Sequence, residues 1–176
     1  AMDRLGMAQI LSQIGLMLDD QTGKALDQAK THWLEDDAWQ PTRHALEDVF
    51  VVEDWFETFV AQNLVLDGVL HPLIFDELDA AGRKHGAMGI SMMSDFMRKW
   101  RKDHERWVDA VVDVAAKESD ANRAVLTEWV AKWGARAEQA AAALAGGILE
   151  AEAAVTRVGE AFGARLAKLS LKEEAR

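Results

Sequence analysis

Cysteine and tyrosine are absent from this 176-residue chain, and proline occurs only twice. Without cysteine there can be no disulfide framework, no thiolate metal site and no cysteine nucleophile. Two prolines over this length favour long helices over a loop-rich β architecture, because proline breaks regular hydrogen-bonded backbone. Positive charge is also scarce: 20 Lys and Arg stand against 30 Asp and Glu, a net charge of −10. Phosphate neutralisation needs clustered cations, so nucleic acid is not an expected partner. An anionic membrane surface meets nothing here that attracts it. No run reaches the roughly 20 uncharged apolar residues that span a bilayer. These absences together lead to the expectation of a soluble, cytoplasmic protein.

What is present is apolar and periodic. Hydrophobic residues make up 49% of the chain, with seven Trp and seven Met. The length suits one domain with a sizeable core. Leu5, Ala8, Leu11, Gly15 and Leu18 recur by threes and fours, the mark of a helix face, and Asp19 to Gly23 end that helix. A second helix is expected over 23–37. Pro41 opens a third that is expected to run to Leu66, with Gly68 and Pro72 bending or interrupting it before a shorter helix over 73–85. A fifth, over 90–117, carries Met93, Phe96, Trp100, His104, Trp107 and Val111. Ser119 or Asp120 caps a sixth, Gly146-Gly147 separates it from a last helix, and Lys172 to Arg176 form a solvated tail. The expected fold is all-α, one helical domain over 1–176. The first turn lacks a capping residue before it, so the expectation is the C-terminal part of a longer chain.

The third helix stands apart. Its polar side is narrow, carrying Arg43, Glu47, Asp54 and Thr58, and apolar residues cover the rest. A helix apolar nearly all round is buried nearly all round. Phe56, Val60 and Leu64 are therefore expected inside the chain, and some of Trp55, Phe59 and Leu66 under another subunit.

Chemistry in a long-helix bundle would most obviously come from a carboxylate-bridged di-iron site, which needs two Glu-x-x-His pairs and further inward acids. No Glu or Asp is followed three residues on by His. The reverse order occurs as His32-x-x-Glu35 and His44-x-x-Glu47, both in charged sequence where solvated ion pairs are expected. His104 lies in an apolar stripe as a core histidine, and His85 in a glycine-flanked loop as an exposed one. Asn63, Asp67 and His71 share a face of the apolar helix, and Asp67 and His71 have the one-turn spacing that metal sites use. With no further ligand in register, packing and hydrogen bonding are the expected role, and no catalytic, cofactor-binding or metal residue is assigned. The alternatives are an independent helical metal-binding enzyme using Asp67 and His71, or a freestanding helical interaction protein. Phosphate-loop, dinucleotide-binding and nucleophile-elbow motifs are missing.

Four segments carry a resemblance: AMDRLGMAQILSQIGLMLD, WLEDDAWQPTRHALED, DWFETFVAQNLVLDGVLHPLIFDEL and RWVDAVV with ESDANRAVL. Together, over residues 1 to 135, the chain resembles the β (small) subunit of the hydroxylase component of bacterial multicomponent phenol hydroxylases, relatives of the toluene, alkene and soluble methane monooxygenases. The resemblance implies a ferritin-like helical bundle and a non-catalytic structural and assembly role. It also implies a di-iron centre in a larger α subunit and an α2β2γ2 hydroxylase. A small regulatory protein and a reductase with FAD and an iron–sulfur cluster complete the implied system. The implied reaction is hydroxylation of phenol or a related aromatic with O2 and electrons from NADH. At the position of His71 the resemblance implies an aromatic residue, often Tyr.

Overall fold

The computed structural model describes residues 2–146 and 150–171. Among these residues seven helices follow one another: α1 (Met2–Leu18), α2 (Lys24–Glu35), α3 (Gln40–Val49), α4 (Trp55–Lys84), α5 (Met88–Glu118), α6 (Asp120–Ala145) and α7 (Ala151–Lys168). Helix accounts for 86% of the described residues, with no strand among them. The expected tail and Gly147 lie outside the described residues.

Local chemistry explains most of the boundaries. Left-handed backbone at Asp20, Gln21 and Gly23 turns the chain between α1 and α2, and glycine takes that conformation without a Cβ penalty. Ser119 caps α6 by accepting the Asn122 N–H, as its residue type predicts.

Two expectations about the apolar helix fail. The helix from Pro41 does not run to Leu66: α3 ends at Val49, and a new helix starts at Trp55. Asp54 is the cause, because its carboxylate accepts the N–H groups of Phe56 and Glu57 and so starts α4. Arg43 and Glu47 therefore share no helix with Asp54 and Thr58. Gly68 and Pro72, in turn, do not interrupt α4. The helix widens into π-helical turns over Val60–Leu66 and Leu73–Leu78, on either side of the regular segment Asp67–Pro72. Such turns admit the proline ring and its missing donor without ending the helix.

α4 forms the axis of the core. Val60, Ala61, Leu64, Val65, Leu66 and Leu73 are buried along it. They pack with Val108 and Val112 of α5, Leu126, Val130 and Trp133 of α6, and Val158 of α7. The Glu57 carboxylate accepts the Trp133 indole N–H at 2.9 Å and so fixes α6 against the start of α4. Alanines 137, 140, 141 and 145 let α6 lie close to its neighbours, each fully or almost fully buried. By length and composition α4 is apolar enough to cross a bilayer, with a mean hydropathy of 1.3 over the relevant window, although Asp67 keeps it from being an uncharged run. Half of that window is buried inside the bundle, which is the pattern of a core helix.

Val60 and Leu64 are buried as expected, while Phe56 is only half-buried. Of the three residues expected under a partner, Leu66 is buried by this chain itself, Phe59 is half-buried, and Trp55 is 77% exposed.

Candidate functional site

The polar face of α4 is met by a residue that the sequence reading did not connect to it. Arg4 of α1 donates through Nη1 to Asp67 Oδ1 at 2.9 Å and through Nη2 to Asn63 Oδ1 at 2.9 Å. A further bond runs from Nη2 to Asp67 Oδ2. A two-pronged guanidinium–carboxylate contact is the strong form of such pairs, charge-assisted and fixed in geometry. Asn63 uses its other group locally: Nδ2 donates to the Phe59 carbonyl at 3.0 Å, where the helix passes into its first π-helical segment. Asn63 thus satisfies backbone at the irregular part of α4, whereas Asp67 bonds a side chain on another helix.

Two imidazoles complete the cluster. His71 Nε2 lies 3.8 Å from Asp67 Oδ1 and His104 Nε2, from α5, 3.7 Å from Asp67 Oδ2. Both distances exceed a hydrogen bond. Among the described residues His71 Nδ1 and His104 Nε2 have no hydrogen-bond partner. The side chain of Asp67 is 13% exposed and each imidazole 15%. Trp100 lies between the rings: its centroid is 4.4 Å from that of His104, nearly parallel, and 5.7 Å from that of His71. The Trp100 indole N–H reaches Asp3 Oδ2 at 3.2 Å, so α1 touches the cluster through two adjacent side chains.

The electrostatics follow from burial. Removal from water is the main cause that pushes the His71 pKa below its ordinary value; the Asp67 carboxylate opposes it, and Arg4, Arg101 and His104 add to the lowering. His104 is lowered in the same way by burial first, with Asp67 and Glu105 opposing and Arg4 and Arg165 reinforcing. At neutral pH both imidazoles are therefore neutral.

This donor set does not fit an iron centre. It offers a single carboxylate, both of whose oxygens already receive Arg4. Among the described residues no group of three or more His, Asp or Glu side chains has the geometry of a metal site. Glu53 lies in the irregular segment before α4 and so shares no helix with Asp67. The other sequence candidates are scattered. His85 is exposed as expected, and His44 is exposed as well. His32 pairs with Asp36 through Nδ1 at 3.0 Å rather than with Glu35, and Glu47 pairs with Arg43 rather than with His44. Both observed pairs have the i,i+4 spacing that brings side chains together on a helix. A groove of about 360 Å³ between α6 and α7, with Val69 of α4 also in its wall, is lined by apolar and small residues together with Glu138 and Thr127. It has none of the cluster residues in its wall.

The fold and the cluster define an all-α, ferritin-like bundle whose central helix carries a bonded polar face. The family model for the methane/phenol/alkene hydroxylases matches residues 1–119. The chain belongs to that family. It is 48% identical over 175 residues to the phenol 2-monooxygenase oxygenase component DmpL of Pseudomonas sp. strain CF600, covering 98% of this chain and 52% of that protein. It is 32% identical over 111 residues to the β subunit of the hydroxylase component of the toluene-4-monooxygenase system of Ectopseudomonas mendocina, covering 63% of this chain and 34% of the relative. The crystal structure of xenon-pressurised phenol hydroxylase from Pseudomonas sp. OX1 contains a chain that superposes with a TM-score of 0.94 at 39% identity, covering 99% of this chain and 53% of that one. The chain thus spans about half the length of these phenol hydroxylase relatives.

Proposed function

We propose that this chain serves as a non-catalytic structural and assembly subunit, a single helical unit, in the hydroxylase of a multicomponent aromatic monooxygenase. A partner α subunit holds the di-iron centre and hydroxylates phenol or a related aromatic with O2. A γ subunit, a regulatory protein and a reductase bearing FAD and an iron–sulfur cluster complete the system, in the cytoplasm, with NADH as the electron source. The observation that carries this reading is the likeness to phenol hydroxylase over almost the whole chain, in sequence and in fold.

The α4 cluster supports the non-catalytic part. Arg4 holds one acceptor position on each Asp67 oxygen, and its positive charge disfavours a second cation on the same carboxylate. No catalytic, cofactor-binding or metal residue is therefore assigned to this chain. The competing reading, a metalloenzyme using Asp67 and His71, gains from the approach of His104 but requires Arg4 to leave. Elemental analysis separates the two. The purified chain, Asp67→Asn and His71→Tyr should all carry the same trace metal; stoichiometric iron or zinc in the wild type, lost in either variant, overturns the structural reading.

A further inference from the structure

The contacts that hold α1 to α4 and α5 are few: apolar burial, side-chain hydrogen bonds, and the Arg4 guanidinium over the Trp100 ring at 5.9 Å from its centroid. Met7 and Ile14 are its only buried side chains. The polar contacts, Arg4 to Asp67 and Asn63 and Trp100 to Asp3, all fall in its first turn. This end of the helix has no buried apolar anchor before Met7 and depends on the ion cluster. Among the described residues Asp67 is in turn the only acid within reach of both imidazoles, and each imidazole nitrogen that faces it stops just short of a hydrogen bond.

We propose that the cluster is an acid-operated latch: protonated His71 and His104 bond the open acceptor positions of the Asp67 carboxylate and repel Arg4, and the first turns of α1 come away from α4 and α5. A carboxylate has about four acceptor positions, and Arg4 occupies one on each oxygen. A neutral imidazole carries one N–H, on either nitrogen, and no charge to hold it to a carboxylate. An imidazolium carries a hydrogen on both nitrogens, and closing a gap of 3.7–3.8 Å to bonding distance takes a small ring movement. The same protonation places one or two positive charges beside Arg4, in a region low enough in water for repulsion to be felt.

The surroundings bias the exchange the same way. His71 is faced by Asp67 on its own helix, Arg4 from α1, and Arg101 and His104 from α5. His104 is faced by Glu105 on its own helix, Asp67 from α4, Arg4 from α1 and Arg165 from α7. Asp76 and Glu105 are already engaged by Arg101, and Asp109 by Arg165. Asp67 is the acceptor that remains. Of the three cations around it, Arg4 is the most exposed and sits on the least anchored helix, so Arg4 is the one displaced. The inference rests on these contacts alone and not on the proposed subunit role.

Hydrogen exchange of the full 176-residue chain between pH 8 and pH 5, expressed as protection over the intrinsic rate at each pH, tests the latch. Amides of residues 5–10 should lose about tenfold or more in protection on acidification while α6 keeps its own, with a midpoint matching the imidazole titration of His71 and His104 read by NMR. In His71→Gln/His104→Gln the loss should disappear, and in Arg4→Gln protection of α1 should be low at every pH. Unchanged α1 protection in the wild type overturns the proposal. So does an equal loss in the double variant, or, should that variant fail to fold, a midpoint in the wild type that departs from the imidazole titration.

Discussion

Arg4 and Asp67 stand 63 positions apart in the chain, and the guanidinium of one bonds both carboxylate oxygens of the other. The pair is the polar join between the first helix and the apolar axis of the bundle. Asp67→Asn keeps the shape but loses the charge and one acceptor, and should lower stability by roughly 1–3 kcal/mol. Arg4→Met leaves a largely buried carboxylate without its cation and should cost about 3 kcal/mol or more. Because both variants remove one contact, the double variant should cost clearly less than the sum. Urea denaturation of the four proteins measures the coupling.

The two depressed histidines make stability depend on pH. Each has a folded pKa below the unfolded value of about 6.5. In the window between the two values the unfolded chain binds more protons, so stability rises with pH there. The contribution is fully present above about pH 6.5 and is lost as pH falls toward the folded values. Urea midpoints taken from pH 8 to pH 5 should therefore decline below pH 6.5, and His71→Gln/His104→Gln should flatten that part of the curve.

The parts of the molecule that could be read in advance are those specified by neighbours in sequence. The ends of α1 and α2, the Ser119 cap and the i,i+4 face of Asn63, Asp67 and His71 all follow from local spacing. The break between α3 and α4 was hidden because Asp54, the capping residue, lies beside Glu53 in an apolar run and looks like one more surface acid. The continuity of α4 was hidden because Pro72 is a strong stop signal, and only packing on several sides sustains a widened helix through it. The site was half legible: its α4 face could be seen, but Arg4 and His104 approach from other helices, and no periodicity connects positions so far apart.

Gly68 is fixed by a close approach. A Cβ there would stand 2.9 Å from Phe162 Cε2 and 3.1 Å from Arg165 Nη1. Alanine's better helix propensity, worth up to about 1 kcal/mol, is outweighed by overpacking of roughly 1–3 kcal/mol. Gly68→Ala should lower the thermal midpoint, and Phe162→Leu in the same chain should recover part of the loss. Scanning calorimetry of these two variants beside the wild type checks this.

The turn that separates α3 from α4 displays Phe50 at 88% and Trp55 at 77% exposure, with Val51 between them also exposed. Apolar surface of this kind drives association when nothing covers it. The chain purified alone should self-associate, as light scattering would report. Phe50→Ser/Trp55→Ser should reduce that association and change stability by less than about 0.5 kcal/mol, as exposed positions do.

The proposed role requires that this chain join a larger hydroxylase subunit. Native mass spectrometry after co-expression with a candidate α subunit and γ subunit tests this directly. The predicted result is one complex containing two copies of each chain, with iron bound in proportion to the α subunit and none added by this chain. Recovery of the chain apart from an otherwise intact, iron-loaded α subunit, as a stable monomer, would contradict the account.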